Sequence, residues 1–153
     1  MFTEHNQIVS VIAPDADVWA ADPASDVVNT KLYGHVTFLL HQGVGATGTV
    51  KLEVEECTAA DGTGNTAIAY KYKVAANPDT WGDLTAVAAA GYTTVAGSNQ
   101  MVAIEIDAAE LSDGSPFVRV QCTEVVDSPC DGGMIAIMSK PRHSSATMPT
   151  AVS

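Results

Sequence analysis

The run Thr49-Val50-Lys51-Leu52-Glu53-Val54-Glu55 alternates polar and apolar residues without a break. A period of two is the pattern of a strand with one buried and one wet face. Residues 35–41 repeat it with Val36, Phe38 and Leu40 on one side, and residues 70–74, 102–106 and 118–122 alternate in the same way. Residues 134–138 are apolar on both faces, which suits a strand central to a sheet or covered by a partner. Between these runs, residues 43–48, 60–65, 77–82, 91–99, 113–116 and 128–133 carry the Gly, Asn, Asp, Ser and Pro of turns. Consecutive antiparallel hairpins are their natural connection, with one more hairpin expected over residues 83–96 around Ala88 to Gly91. Only Asp107-Ala108-Ala109-Glu110-Leu111 reads as helical, for a single turn. Without crossover helices a parallel sheet is excluded. The expected fold is therefore all-β, an antiparallel β-sandwich or jelly-roll-like domain of about eight short strands.

The two ends depart from the alternation. Residues 1–34 hold the apolar patch Ile8-Val9-Ser10-Val11-Ile12, then Pro14, Trp19 and Pro23, with no steady period. Such a segment is too apolar for a free tail. It is expected to be an extended N-terminal arm that donates a strand to a neighbouring subunit or larger assembly, with Ile8, Val9, Val11, Ile12 and Trp19 as partner-binding residues. The sandwich proper is expected over residues 35–143, and residues 144–153, rich in Ser, Thr and Ala, form a C-terminal tail.

Charge limits the partners. Of 153 residues 18 are acidic and 7 basic, a formal charge of −11, and the basic ones are scattered. Nucleic-acid binders gain affinity by gathering Lys and Arg onto phosphates, so nucleic acid is not expected as a partner. Lys71 and Lys73 beside Tyr70 and Tyr72 form a local basic patch that strand alternation explains. There is no run of about 18 apolar residues and no signal-peptide pattern at the start, so neither a membrane partner nor classical secretion is expected.

The search for chemistry ends without a catalytic residue, a cofactor or a metal. Cys57, Cys122 and Cys130 are an odd number with no zinc-ligand spacing, and Cys122 reads as a small core hydrophobe. Gly43-Val44-Gly45-Ala46-Thr47-Gly48 matches G-x-G-x-x-G, but a strand follows where a dinucleotide site needs a helix. His35 and His41 share a strand face about 20 Å apart, too far to hold one ion, and His5 and His143 lie in the end segments. Glu53, Glu55 and Glu56, Asp15 with Asp17, and Asp107 with Glu110 and Asp113 read as solvated acidic surface.

Several phrases carry a family likeness. They are Val28-Asn29-Thr30-Lys31-Leu32-Tyr33-Gly34-His35-Val36-Thr37-Phe38, the turn of residues 43–48, Ala96-Gly97-Ser98-Asn99-Gln100-Met101, Phe117-Val118-Arg119 with Glu124-Val125-Val126, and Lys140-Pro141-Arg142-His143. Through them the chain resembles the small structural proteins of tailed bacteriophages placed on the head as capsid decoration, or cement, proteins. The resemblance implies a non-enzymatic β-sandwich on the outer surface of the virion, bound to the major capsid protein. It also implies self-association, as a homotrimer first and a dimer second. A head completion or tail-tube protein that forms a ring is the alternative. A carbohydrate-binding sandwich using Trp19, Trp81 and Tyr92 as a sugar platform is a third.

Overall fold

The computed structural model describes residues 2–45, 47–75 and 80–142. The expected C-terminal tail and His143 lie outside the described residues. After a four-residue helical turn, α1 (Phe2–His5), come β1 (Gln7–Asp15), β2 (Val28–Asn29), β3 (Tyr33–Gln42), β4 (Thr49–Cys57), β5 (Thr66–Ile68) and β6 (Tyr70–Ala75). They are followed by β7 (Thr85–Val87), β8 (Tyr92–Thr93), β9 (Gln100–Asp107), β10 (Phe117–Val126) and β11 (Gly132–Pro141). Two antiparallel sheets pack face to face, ordered β1-β11-β3-β9-β6-β7 and β2-β10-β4-β5, with β8 on β4. The all-β sandwich read from the alternation is the fold.

Register shows why the periods matter. In the six-stranded sheet, Ala136, Phe38, Ile104 and Tyr72 form one cross-strand row, flanked by rows through Met138-Val36-Ile106 and Met134-Leu40-Val102-Val74. From the other sheet Val120 sits opposite Val54 and Cys122 opposite Leu52. These inner residues make one core in which Val36, Phe38, Val50, Leu52, Val54 and Cys122 are fully buried. Fully burying such aliphatic or aromatic side chains is worth roughly 1.5–3 kcal/mol each before chain entropy is charged. The outward Glu55 meets Arg119 at 2.7 Å on β10, and Lys51 meets Glu53 at 2.9 Å.

Connectivity differs from the expected string of hairpins. Among the described residues, consecutive strands pair only at β4–β5 and β6–β7. β3 and β4 lie in different sheets, and β7 and β8, expected to pair with each other, bind β6 and β4 respectively. Alternation fixes which face of a strand is buried and says nothing about its partner. A loop of a few residues spans the gap of about 10 Å between sheets as readily as it turns back on itself. The helical turn expected after β9 is where the sequence places it, Ala108–Glu110, capped by the Asp107 carboxylate accepting from the Ala109 N–H, while α1 was not expected.

Residues 2–34, expected as an extended arm, pack on the chain's own two sheets. β1 pairs with the chain's own β11, Ile8 opposite Ile137 and Ser10 opposite Ile135, with register shifts after Ser10 and Ile12. The chain then turns through Trp19, which is 1% exposed, and crosses to the second sheet. There the Ser25 N–H donates to Val120 O and the Cys122 N–H to Pro23 O, so residues 23–29 run beside β10 and end as β2. The Asp26 N–H donates to Val11 O and ties the two sheets along this side. The irregular period that suggested an arm comes from the bulges in β1 and from the left-handed backbone of Ala21 and Asp22.

Candidate functional site

The outer face of the six-stranded sheet is the unusual surface. Outward residues form rows such as Ser10-Ile135-Leu39-Ala103-Lys73 and Ile8-Ile137-Thr37-Glu105-Lys71. Over β1, β11 and β3 Ile8, Ile135, Ile137 and Leu39 make these rows mostly apolar, interrupted by Ser10 and Thr37, and over β9 and β6 Glu105, Lys71 and Lys73 bring charge beside Ala103. A solvated sheet face ordinarily carries polar side chains there. At the β11 start, Ile12, Pro14, Leu39, Met101 and Ile135 line a groove of about 740 Å³, with Asp15 and Asp131 also on its lining.

Glycine and a bulge shape this groove. Gly132 and Gly133 put no side chain on β11, and a Cβ on Gly133 would lie 3.2 Å from the Pro14 nitrogen and from Ile12 O. The bulged end of β1 can therefore lie close beside β11, with Ile12 and Pro14 as a wall. The groove opens at the end of the sandwich where three loops are tied together. Asn99 N–H donates to Gly43 O, Asp131 N–H to Val44 O, and Gly45 N–H to Ser98 Oγ. That end also exposes Val44 at 65%, Val95 at 57% and Val126 at 44%.

The chain is similar in fold to the SPBc2 prophage-derived protein YomS. The crystal structure of that protein superposes with a TM-score of 0.54 at 10% sequence identity, over 88% of this chain and 93% of that one. No protein-family model and no curated protein matches the sequence. The likeness to YomS is one of fold, so the chemistry of the face comes from this chain's own residues.

The charged part of the face is held by hydrogen bonds and ion pairs. His35 Nε2 lies 3.0 Å from Glu105 Oε2, and Thr37 Oγ donates to the same oxygen at 3.0 Å. His35 Nδ1 is 3.3 Å from Ser139 Oγ, while Lys71 faces Glu110 and Lys140 faces Asp107 at 3.9 Å. The hydrogen bond from His35 holds the Glu105 carboxyl below its ordinary range, burial opposes that shift, and Thr37 adds to it. A carboxyl with a depressed folded pKa gives stability that is complete above its unfolded value, near 4.5, and lost as pH falls through the folded one. Chemical denaturation between about pH 6 and pH 3 is thus expected to show Glu105→Gln losing less stability on acidification than wild type.

The other sequence candidates fall into place on this frame. Of Ile8, Val9, Val11, Ile12 and Trp19, the structure puts Val11 and Trp19 inside the chain's own core and Val9 and Ile12 against it. Ile8 is 41% exposed on the outer face, and Ile12 reaches the groove. Buried Trp19 cannot join Trp81 and Tyr92 in a sugar platform, and Tyr92 stacks on Tyr72 at 4.1 Å. Glu55 and Glu56 are not solvated surface: Glu55 binds Arg119, and Glu56, 5% exposed, accepts the Ser112 N–H. The glycines of the G-x-G-x-x-G stretch serve close packing, since Cβ atoms on Gly45 and Gly48 would meet Cys130 and Ser128.

All three thiols are free and buried, and burial pushes Cys122 up to about 12, with Asp22 adding to the shift. Among the described residues no three His, Cys, Asp or Glu side chains gather as metal ligands, and no helix is long and apolar enough to cross a membrane. The groove itself was not expected from the sequence. Its signal was present in residues 134–138, apolar on both faces, and in Leu39 and Met101, apolar at outward positions of their strands.

Proposed function

We propose that this chain is a non-enzymatic structural protein of a tailed-phage particle, a decoration protein that binds the outside of the head and stabilises the shell. The observation that carries this reading is an apolar end on an acidic sandwich. Val44 and Val95 project from loops and Val126 from the end of β10, at the end of the sandwich where an apolar groove opens, in a chain of charge −11. Attachment needs such a surface and needs no reacting groups. Binding the assembled shell and not its free subunits stabilises the assembly by mass action. The negative surface is repelled by packaged DNA and favours the outside of the shell. The fold likeness to a prophage-derived protein and the sequence resemblance to decoration proteins point the same way. Self-association, as a homotrimer first, belongs to this reading.

The test uses shells assembled from the major capsid protein of the same genome. The chain is expected to sediment with shells and not with unassembled capsid protein, and to raise the temperature at which shells melt. Val44→Asp with Val126→Asp is expected to weaken shell binding by tenfold or more, because both exposed side chains would carry charge into an apolar contact. Closed rings formed by the chain alone, with no shell binding, would overturn the reading in favour of a head completion or tail-tube protein.

A further inference from the structure

We infer that the groove between β1, β11, β3 and β9 docks an extended segment of a partner protein in which apolar side chains alternate with Lys or Arg. The inference rests on the decoration reading only for the source of that segment. Ile12, Pro14, Leu39, Met101 and Ile135 give the groove apolar walls, and Asp15 and Asp131 are its carboxylates. Ser10, Asp15, His41 and Asp131, the polar side chains on its lining, are exposed, and no Lys or Arg lines it. An occupant must therefore bring apolar side chains to the walls and positive charge to the rim, and the field of a chain with charge −11 selects the same sign at longer range.

The geometry also separates this occupant from two others. An extended segment presents side chains to one face about every 6.8 Å, which suits a trough four strands or about 14 Å across. A second copy meeting the groove through the same face would set hollow against hollow, with Asp15 and Asp131 of each chain adding repulsion. Addition of a strand to the β1 edge is obstructed, because Val11 O is already taken by the Asp26 N–H and β1 is bulged on both sides of Ile12. The face and not the edge is the docking surface.

The experiment titrates the full chain, labelled on Ile, Leu and Met methyls, with a capped hexapeptide alternating lysine and isoleucine, and with its glutamate counterpart. The lysine peptide is expected to shift Ile12, Leu39, Met101 and Ile135 saturably, and the glutamate peptide to leave them unmoved. Asp15→Asn with Asp131→Asn is expected to weaken binding about fivefold, the loss of two surface charge pairs. Ile135→Glu should abolish it, with the core methyls of Ile104 and Leu40 reporting that the fold is intact. If Ile135→Glu perturbs the core, Leu39→Ser serves as the second groove variant and is expected to weaken binding at least fivefold. Equal binding of both peptides, or shifts spread over the acidic surface and indifferent to these variants, would overturn the inference. So would shifts of the same methyls with protein concentration alone, which would make a second copy the occupant. Sedimentation with shells tests the decoration reading separately, since peptide binding without shell binding would sink that reading and leave the groove's chemistry standing.

Discussion

Trp19→Ala is expected to lower the free energy of unfolding by about 3–5 kcal/mol, the cost of emptying a large aromatic site in a packed core. Trp19 is 1% exposed and stands at the crossing from β1 to the second sheet. Its neighbours are fixed from both sides, with the Val18 N–H donating to Cys130 O and the Asp22 N–H to Trp19 O. The surroundings are thus poorly placed to collapse into the space. A guanidinium titration would read the effect as a lower midpoint with an unchanged slope. A loss below about 1 kcal/mol would mean that residues 1–34 contribute little to the core and behave as the loosely attached arm their irregular period suggests.

That arm shows where the sequence stops being readable. Val50, Leu52 and Val54 are legible because one regular strand buries every second residue; the five clearest alternating segments are β3, β4, β6, β9 and β10, and β11 is legible as a run apolar on both faces. β1 is half legible. Its bulges break the period, and a broken period cannot separate an edge strand of the same chain from one donated to another. β2 and its approach are illegible because the Ser25 hydroxyl takes the Val120 N–H in place of a backbone ladder. Partner choice is lost for a different reason. β7 and β8 are three and two residues long, and their assignment to opposite sheets depends on which edges of β6 and β4 are free. The groove needed both kinds of information at once: that β11 is flanked by β1 and β3, and that Gly132 and Gly133 lie where the bulged end of β1 comes close. Residues 134–138 announced a covered face, and only the topology says that no strand of the second sheet covers it.

Tyr70→Phe is expected to cost about 2–4 kcal/mol while leaving the packing almost unchanged, since it removes one oxygen from a site where two buried groups depend on it. Tyr70 starts β6 in the six-stranded sheet, yet its hydroxyl donates to Leu52 O on β4 at 2.6 Å and accepts the Tyr92 N–H of β8 at 3.1 Å. It is a polar rivet between the two sheets, held by an edge contact with Tyr72, which itself stacks on Tyr92. Phenylalanine keeps the ring and leaves both backbone groups without their partner. Alkaline pH offers an independent check on the same oxygen. Burial raises the Tyr70 phenol far above the ordinary value of 10.0, and the Tyr92 N–H lowers it only in part. The unfolded chain therefore ionises first, and stability that is complete below about pH 10 falls as pH rises through the folded value. Tyr33 and Tyr92 are raised by burial too and contribute in the same direction. Tyr70→Phe should be less stable than wild type at neutral pH and lose less above pH 10, so the gap between the two proteins narrows with alkalinity. A gap that stayed constant would place the hydroxyl in contact with water and remove it from the link between the sheets.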